Sequence, residues 1–212
     1  MVRLILQFTA VAGLLRAAAG GEFPSPAVDV PAAAGKQIAV LAGGCFWCTE
    51  AVFEHVKGVT KVVSGYSGGD AATAHYRMVA DGRTSHAESI EVTFEADKIT
   101  YGQILRIFFS VAHDPTTLNR QGPDWGKQYR SAIFHANEDQ KRVAEAYIAQ
   151  LDKAGLFPQR IVTQVVPLEK FYPAESYHQD FVAANPFHPY VQVNSVPKVA
   201  KLKKLYPEVY RK

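Results

Sequence analysis

Apolar residues recur along the first half of the chain with spacings that alternate between those of strands and helices. The apolar run over residues 37–41 ends at a pair of glycines, as expected for a buried strand followed by a tight turn. From Cys45 onward the apolar side chains fall on one helical stripe, which places Cys45 at a helix N-terminus. Residues 59–66 form a second predicted strand, and residues 88–94 alternate as a half-buried strand does.

The second half of the chain adds two strands and three helices to this prediction. Thr100 and Gln103 have the spacing of a capping box, Asn137 opens a well-patterned helix, and Pro173 is expected in the first turn of a last helix. The added strands are 130–135 and 161–166, and the irregular segments are 68–87 and 113–129. Strands and helices in mixed order predict an α+β fold, a two-layer α/β sandwich with helices on a ferredoxin-like mixed sheet, long irregular loops and a C-terminal tail.

The ends of the chain differ in composition from its centre. Residues 1–20 carry basic residues, an apolar run and three small residues, which predicts a signal peptide and export to the periplasm or medium; a cytoplasmic or organellar location is the alternative. The apolar run is shorter than the roughly twenty residues of a membrane span. Residues 21–36, rich in Pro, Ala and Gly, predict a flexible tether, and residues 37–190 are predicted to form the main domain. Residues 191–212 are predicted to be a basic tail that wraps over this domain as a solvated surface.

The formal charge of +3 is unevenly distributed. Residues 191–212 carry six basic groups against one acid, whereas residues 21–190 carry fifteen against nineteen, a net charge of −4. A basic body that would attract nucleic acid is therefore absent from the sequence. We expect a monomer that binds neither nucleic acid nor membrane.

The two cysteines, Cys45 and Cys48, lie three residues apart. A disulfide between them would close too short a loop to stabilise a fold, which leaves chemistry, metal binding or accident. Lowering a thiol pKa to about 6 requires roughly 3.4 kcal/mol. A helix N-terminus supplies only about 0.3–1 kcal/mol, so that other donors must help or ionisation must be coupled to substrate binding. At this spacing the two sulfurs can form a disulfide.

The segment Gly44-Cys45-Phe46-Trp47 with the following residues resembles the peptide methionine sulfoxide reductases of the A type, which reduce the S epimer. Further segments match this family in order and spacing over residues 40–185. They are Gly65-Tyr66-Ser67-Gly68-Gly69, Tyr76, His86-Ala87-Glu88, His113-Asp114-Pro115, Asn119-Arg120-Gln121-Gly122-Pro123-Asp124, Gln128-Tyr129-Arg130-Ser131-Ala132-Ile133 and Tyr177-His178-Gln179.

The resemblance implies a role for each matched residue. Cys45 would be the nucleophile and Glu88 the acid. Tyr76, Asp124 and Tyr129 would be the partners of the sulfoxide oxygen. Phe46 and Trp47 would enclose the substrate methyl group. These roles have a physical reason, because the sulfoxide oxygen becomes basic as sulfur is attacked, and donors aimed at it stabilise the transition state. Glu88 can donate only when protonated, which burial favours. His178 is expected to be structural or at the surface.

The chain departs from many family members at one point. They carry glycine at position 48 and a recycling cysteine in a C-terminal tail, whereas residues 186–212 contain no cysteine here. This departure indicates that Cys48 forms the disulfide with Cys45 after sulfenic acid formation. The resemblance further implies substrates that are oxidised proteins or peptides, no bound cofactor or metal, and thioredoxin or another dithiol as the external reductant.

Two other classes remain open on the sequence. A general dithiol–disulfide oxidoreductase would use both cysteines but leaves Tyr76, Glu88 and Tyr129 without a role, and insulin reduction without sulfoxide activity would favour it. A metal-binding module would use both cysteines and two histidines. Structural zinc sites usually show a second ligand pair at defined spacing, which is not visible here, and zinc analysis would decide.

Overall fold

A computed structural model describes residues 23–31 and 35–212. Within these residues the chain forms eight strands and six α-helices. The strands are β1 (Lys36–Gly43), β2 (Val59–Ser67), β3 (Ala87–Glu95), β4 (Arg120–Gln121), β5 (Asp124–Trp125), β6 (Ser131–His135), β7 (Gln164–Pro167) and β8 (Phe171–Pro173). The helices are α1 (Phe46–Glu54), α2 (Tyr76–Ala80), α3 (Tyr101–Ile107), α4 (Glu138–Ala154), α5 (Phe181–Ala184) and α6 (Val196–Leu205).

The main sheet of the described chain has the strand order β7-β6-β1-β3-β2-β8. Strands β6 and β7 run parallel, and the other neighbouring pairs are antiparallel. The central four strands together with α1 and α3 follow the β-α-β-β-α-β order of ferredoxin-like folds. The predicted α+β class with a mixed sheet is confirmed.

The main core lies between the sheet and helices α1, α3 and α4. The apolar side chains of β3 predicted to point inward, Ile90, Val92 and Phe94, are fully buried in it. Strand β1 is covered on both faces, because Leu41 joins this core while Val40 packs into a smaller cluster on the other side. Burial on both faces explains why β1 is a continuous apolar run rather than an alternating one.

Two of the helix starts predicted from the sequence, at Thr100 and Asn137, are confirmed in atomic detail. Both hydrogen bonds of the Thr100–Gln103 capping box are present at the start of α3. The Asn137 side chain accepts a hydrogen bond of 2.9 Å from the Gln140 amide at the start of α4. Each bond satisfies an amide that the first helical turn leaves without a backbone partner.

The prediction that Pro173 starts a helix is wrong. Pro173 ends β8, where it is paired with Gly65 of β2, and a single 3₁₀ turn at Ser176–His178 and the short α5 follow. The fixed φ of proline suits an edge strand as well as a first helical turn, and a proline on the outermost strand needs no amide for a further neighbour. The predicted loop over residues 68–87 also contains α2.

Part of the predicted flexible tether is attached to the domain. The Asp29 carboxylate accepts hydrogen bonds from the Gly102 amide at 2.8 Å and from the Thr100 hydroxyl, and Tyr147 donates to the Pro24 carbonyl at 2.7 Å. A Cβ at Gly102 would lie 2.5 Å from the Asp29 carboxylate, so this approach requires glycine. The predicted signal peptide, residues 1–20, lies outside the described residues.

The C-terminal segment lies over the domain with solvated lysines, as expected, and it also contributes to the core. Leu202 of α6 and Tyr206 are buried in the main core, while the neighbouring lysines of α6 stay exposed. Beyond α6, Tyr210 forms a bridge with Val56, and Arg211 donates to the Glu54 carbonyl at 2.7 Å. The high lysine content of this segment obscured the apolar face of an amphipathic helix in the sequence. None of the described helices has the length and apolarity needed to cross a bilayer.

We predict that Asp29→Ala lowers the free energy of unfolding by about 1–3 kcal/mol, because the Gly102 amide and the Thr100 hydroxyl lose a charged acceptor. Urea denaturation measures this change. Glu145→Ala, on the exposed side of α4, is the matched control and should change stability little. Equal effects of the two substitutions would show that the segment is not held by Asp29.

Candidate active site

Cys45 lies between β1 and α1, at the point predicted from the glycine pair. Gly44 adopts a φ of +87°, and a Cβ there would lie 2.4 Å from the Gln121 side chain, so the turn needs glycine on both grounds. Cys45 is the N-cap residue of α1, and its carbonyl accepts from the Cys48 amide at 3.1 Å. The thiol is thus at the positive end of α1 and only 7% of the residue is exposed.

Glu88 reaches this helix start from the neighbouring strand β3. Helix α1 has no hydrogen bond from a capping side chain of its own. Instead, the Glu88 carboxyl accepts from the Phe46 amide at 3.1 Å. Because Glu88 is 97% buried, this bond places a desolvated carboxyl beside the cysteine. The sequence-predicted acid and nucleophile are therefore adjacent.

One cavity of about 200 Å³ collects most of the sequence-predicted site residues. Its walls are Cys45, Phe46, Trp47, Tyr76, Glu88, Asp124, Tyr129 and Tyr190. Seven of the eight predicted residues are among them, and Cys48 is not. The cavity can accommodate one small chemical group. Aromatic rings line one side of it, and hydroxyl and carboxyl groups line the other.

Two long-range contacts position the tyrosines of this cavity. The Tyr76 amide, at the start of α2, donates to the Glu175 carboxylate at 3.0 Å. The Gln128 side chain donates to the Ala80 carbonyl at 3.0 Å and so ties the turn that carries Tyr129 to the end of α2. Both phenols thereby face Glu88 across the cavity.

Trp47 is held by its neighbours in a fixed orientation. Its indole N–H donates to His178 Nδ1 at 3.1 Å, and its ring stacks on Phe181 with centroids 3.7 Å apart. His178 is buried, in keeping with a structural role, and as an acceptor at Nδ1 it carries its proton on Nε2. Phe46 and Trp47 therefore present a preformed apolar wall.

The burial of the site shifts the protonation of both principal groups. Desolvation raises the pKa of Glu88 to about 8, against a smaller opposing effect of the Phe46 amide, so that the carboxyl is mostly protonated at neutral pH. Burial also raises the pKa of Cys45 well above its usual value, and the nearby Cys48 and Glu88 raise it further. Without substrate, Cys45 is therefore a neutral thiol, and the helix N-terminus does not offset its burial.

Tyr190 belongs to the cavity although the sequence did not indicate it. Its hydroxyl donates to the Asp124 carboxylate at 2.5 Å and lies 4.0 Å from the Cys48 sulfur. Burial raises the pKa of Asp124, and the hydrogen bond from Tyr190 opposes this. Tyr190 follows Cys48 by 142 positions, in a segment with no periodic pattern, so no local signal could have identified it.

Cys48 faces away from this cavity, toward the C-terminal segment. Its sulfur lies 3.1 Å from the Ser195 hydroxyl. Both cysteines are free thiols in this structure. Among residues 23–31 and 35–212 there is no group of three or more His, Cys, Asp or Glu side chains placed to hold a metal ion.

Comparisons with known proteins show which family this chain resembles. The model of the family "peptide methionine sulfoxide reductase" matches residues 37–209. The peptide methionine sulfoxide reductase MsrA 2 of Mesorhizobium japonicum is 56% identical over 183 residues, covering 86% of this chain and 94% of the relative. MsrA 2 of Synechocystis is 53% identical, covering 87% and 88%.

Solved structures of the same family share the fold. Reduced Mxr1 from Saccharomyces cerevisiae superimposes with a TM-score of 0.65 at 31% identity, covering 78% of this chain and 94% of the other. Methionine sulfoxide reductase A of Corynebacterium diphtheriae gives 0.64 at 34% identity, covering 74% and 79%.

The chain belongs to the peptide methionine sulfoxide reductase family. Within that family its similarity is to the MsrA proteins, and it is an enzyme of the peptide-methionine (S)-S-oxide reductase type. The family match extends through α6, so the C-terminal helix is part of the family domain rather than an appended tail.

We predict that Glu88→Gln changes how stability depends on pH. Folded protein keeps a proton on Glu88 up to about pH 8, whereas the ordinary value for a carboxyl is 4.5. Wild-type stability therefore falls as pH rises through this window, by at most about 1.4 kcal/mol per pH unit from this group. The variant lacks that loss and should gain stability relative to wild type between about pH 5 and pH 8, as measured by urea denaturation. A difference in unfolding free energy between the two proteins that stays the same from pH 5 to pH 8 would refute a neutral Glu88. Glu145→Gln, at an exposed position, is the control.

Proposed function

We propose that this enzyme reduces methionine S-sulfoxide, in proteins and as the free amino acid, by attack of Cys45 on the sulfoxide sulfur. The observation that carries the proposal is the single cavity in which the Cys45 thiol, a protonated Glu88 and two phenols meet an aromatic wall. The cavity thus offers a nucleophile, proton donors and an apolar surface to one small group.

Substrate binding is the event that ionises Cys45 in this proposal. As sulfur is attacked, negative charge gathers on the sulfoxide oxygen, which becomes a strong acceptor. Glu88 gives it a proton, and the hydroxyls of Tyr76 and Tyr129 donate hydrogen bonds. The thiol and the acid are both neutral beforehand, so neither of these two groups carries a buried charge before substrate binds.

The first half-reaction transfers the oxygen atom. The sulfur–oxygen bond of the substrate breaks, methionine leaves as the reduced product, and Cys45 is left as a sulfenic acid. Phe46 and Trp47 would contact the methyl group on the substrate sulfur, since an apolar wall favours the thioether methyl over a charged substituent. Asp124, linked to Tyr190, would complete the polar side of the cavity.

The second half-reaction removes the oxygen from Cys45. Cys48 lies one helical turn away and interacts with Cys45, which supports condensation to a Cys45–Cys48 disulfide. We propose thioredoxin or a similar dithiol as the reductant that returns the pair to thiols, because disulfides are reduced by thiolate exchange. The N-terminal leader supports an exported enzyme that repairs oxidised proteins.

Separated sulfoxide epimers test the substrate and the nucleophile together. With dithiothreitol as reductant, wild type should convert methionine S-sulfoxide and leave the R epimer, and Cys45→Ser should lose all activity because the attacking sulfur is gone. Chromatography of released methionine measures both. Residual reduction by Cys45→Ser, with folding verified by circular dichroism, would refute Cys45 as the nucleophile.

Cys48→Ser should separate the two half-reactions. We expect one methionine released per enzyme in a single turnover, because the first step needs only Cys45. Thioredoxin-driven cycling should fall by at least about tenfold, since no Cys45–Cys48 disulfide can form. Rapid quenching quantifies the first turnover, and an NADPH-coupled thioredoxin assay quantifies the cycle. Loss of the first turnover would assign Cys48 a different role.

A further inference from the structure

A second cavity, of about 350 Å³, lies on the far side of Cys45 and reaches Cys48. Cys45, Asp124 and Tyr190 line both cavities, whereas Cys48 lines this one alone. Its opposite wall comes from the C-terminal segment, including Lys198 of α6. The cavity therefore connects Cys48 with α6 and the residues just before it, which do not line the substrate cavity.

Ser195 is the closest polar neighbour of Cys48 on this segment. Its hydroxyl lies 3.1 Å from the Cys48 sulfur, and the residue is fully buried. A serine hydroxyl can rotate to donate to a thiolate. Its position just before α6, whose Leu202 is anchored in the core, fixes the hydroxyl against the sulfur. Ser195 is thus placed to orient Cys48.

Lys198 brings positive charge to the same sulfur. It follows Ser195 by three positions, hence on the same helical face, and it forms no ion pair among the described residues. Its charge lowers the pKa of Cys48, and also that of Asp124. Lys201 lines the cavity as well but is exposed.

Other groups also face Cys48 from the surrounding elements. Cys45 at the start of α1 makes the largest contribution, and its thiol together with Lys198, Ser195 and Tyr190 lowers the pKa of Cys48 to about 6 against the effect of burial. Glu88 of β3 is mostly protonated. The remaining titratable groups that line the cavity are His113, which burial keeps neutral, Asp114 and Asp124.

The effect of the Cys45 thiol on the pKa of Cys48 is lost before the disulfide forms. After the first half-reaction, Cys45 is a sulfenic acid and no longer offers its thiol proton to Cys48. Cys48 must nevertheless be a thiolate to attack, because the thiolate is the nucleophile in disulfide formation. Ser195 and Lys198 of the C-terminal segment are chemically unchanged at this stage and still act on Cys48.

We propose that Ser195 and Lys198 are positioning residues that hold Cys48 as a thiolate directed at Cys45 and thereby set the rate of disulfide closure. The inference rests on the proposed function. In this step the Cys48 thiolate forms a bond to the Cys45 sulfur, the sulfur–oxygen bond breaks, and the oxygen takes a proton from solvent and leaves as water. The Cys45 sulfur is reduced and the Cys48 sulfur is oxidised, so no outside reagent is needed.

The rate of disulfide closure, measured relative to methionine release, tests this proposal. In single turnovers quenched with acid, the ratio should fall roughly fivefold at pH 7 in Lys198→Met, because closure follows the thiolate fraction of Cys48. The loss should shrink at pH 9, because the thiolate fraction of Cys48 is higher there in both proteins. Lys198→Arg should keep the wild-type ratio, and Lys204→Met, which removes the same charge from an exposed position of α6, should not change it. Ser195→Ala should lower the ratio at both pH values, since it removes an orienting contact.

Alkylation of Cys48 supplies a second readout that a merely structural effect would not move. In a Cys45→Ser background, Lys198→Met should shift the pH midpoint of iodoacetamide labelling of Cys48 upward, and Lys204→Met should not. An unchanged ratio and midpoint in Lys198→Met, or equal effects of the two lysine substitutions, would overturn the proposal. Failure of the proposed function is distinguishable, because it would appear as methionine release by Cys45→Ser.

Discussion

The hydrogen bond from the Phe46 amide to the Glu88 carboxyl joins the start of α1 to strand β3. Because Cys45 offers no capping side chain, the helix takes its acceptor from another element, and this acceptor is the carboxyl that we propose as the proton donor. The same contact therefore closes the helix end and sets the separation of thiol and acid. The tyrosines on the opposite side of the cavity are arranged around this pair.

Burial of that pair determines how the site can be active. Desolvation keeps Glu88 protonated, as an acid must be, but it also keeps Cys45 as a thiol, which opposes nucleophilic attack. The two requirements are compatible only when the proton moves as the substrate oxygen becomes basic. A sulfoxide supplies such an oxygen, whereas a general disulfide substrate does not, which favours the sulfoxide over disulfide exchange as the chemistry of this cavity.

Local signals predicted the elements that position Cys45 and Glu88, and they failed where contacts span the chain. The glycine pair before Cys45, the alternation in β3 and the cap at Thr100 depend on neighbours within a few residues, and all appear in the fold. Pro173 was misassigned because its backbone angle suits two elements. Tyr190 and Ser195 were missed because they reach Cys48 across 142 and 147 positions. Lysines likewise hid the core contact of α6 through Leu202.

The two cavities separate what the two cysteines must do. In the proposed reaction, Cys45 meets the substrate beside an aromatic wall and a protonated Glu88, where an ionised thiol would be costly before substrate binds. Cys48 is ionised afterwards in that proposal, which a lysine-bearing helix on the other side favours. The spacing of three residues at the start of α1 places Cys48 in the second cavity alone, whereas Cys45 lines both. If Cys48 recycles Cys45 as proposed, the C-terminal segment contributes the wall that carries Tyr190, Ser195 and Lys198, rather than the thiol itself.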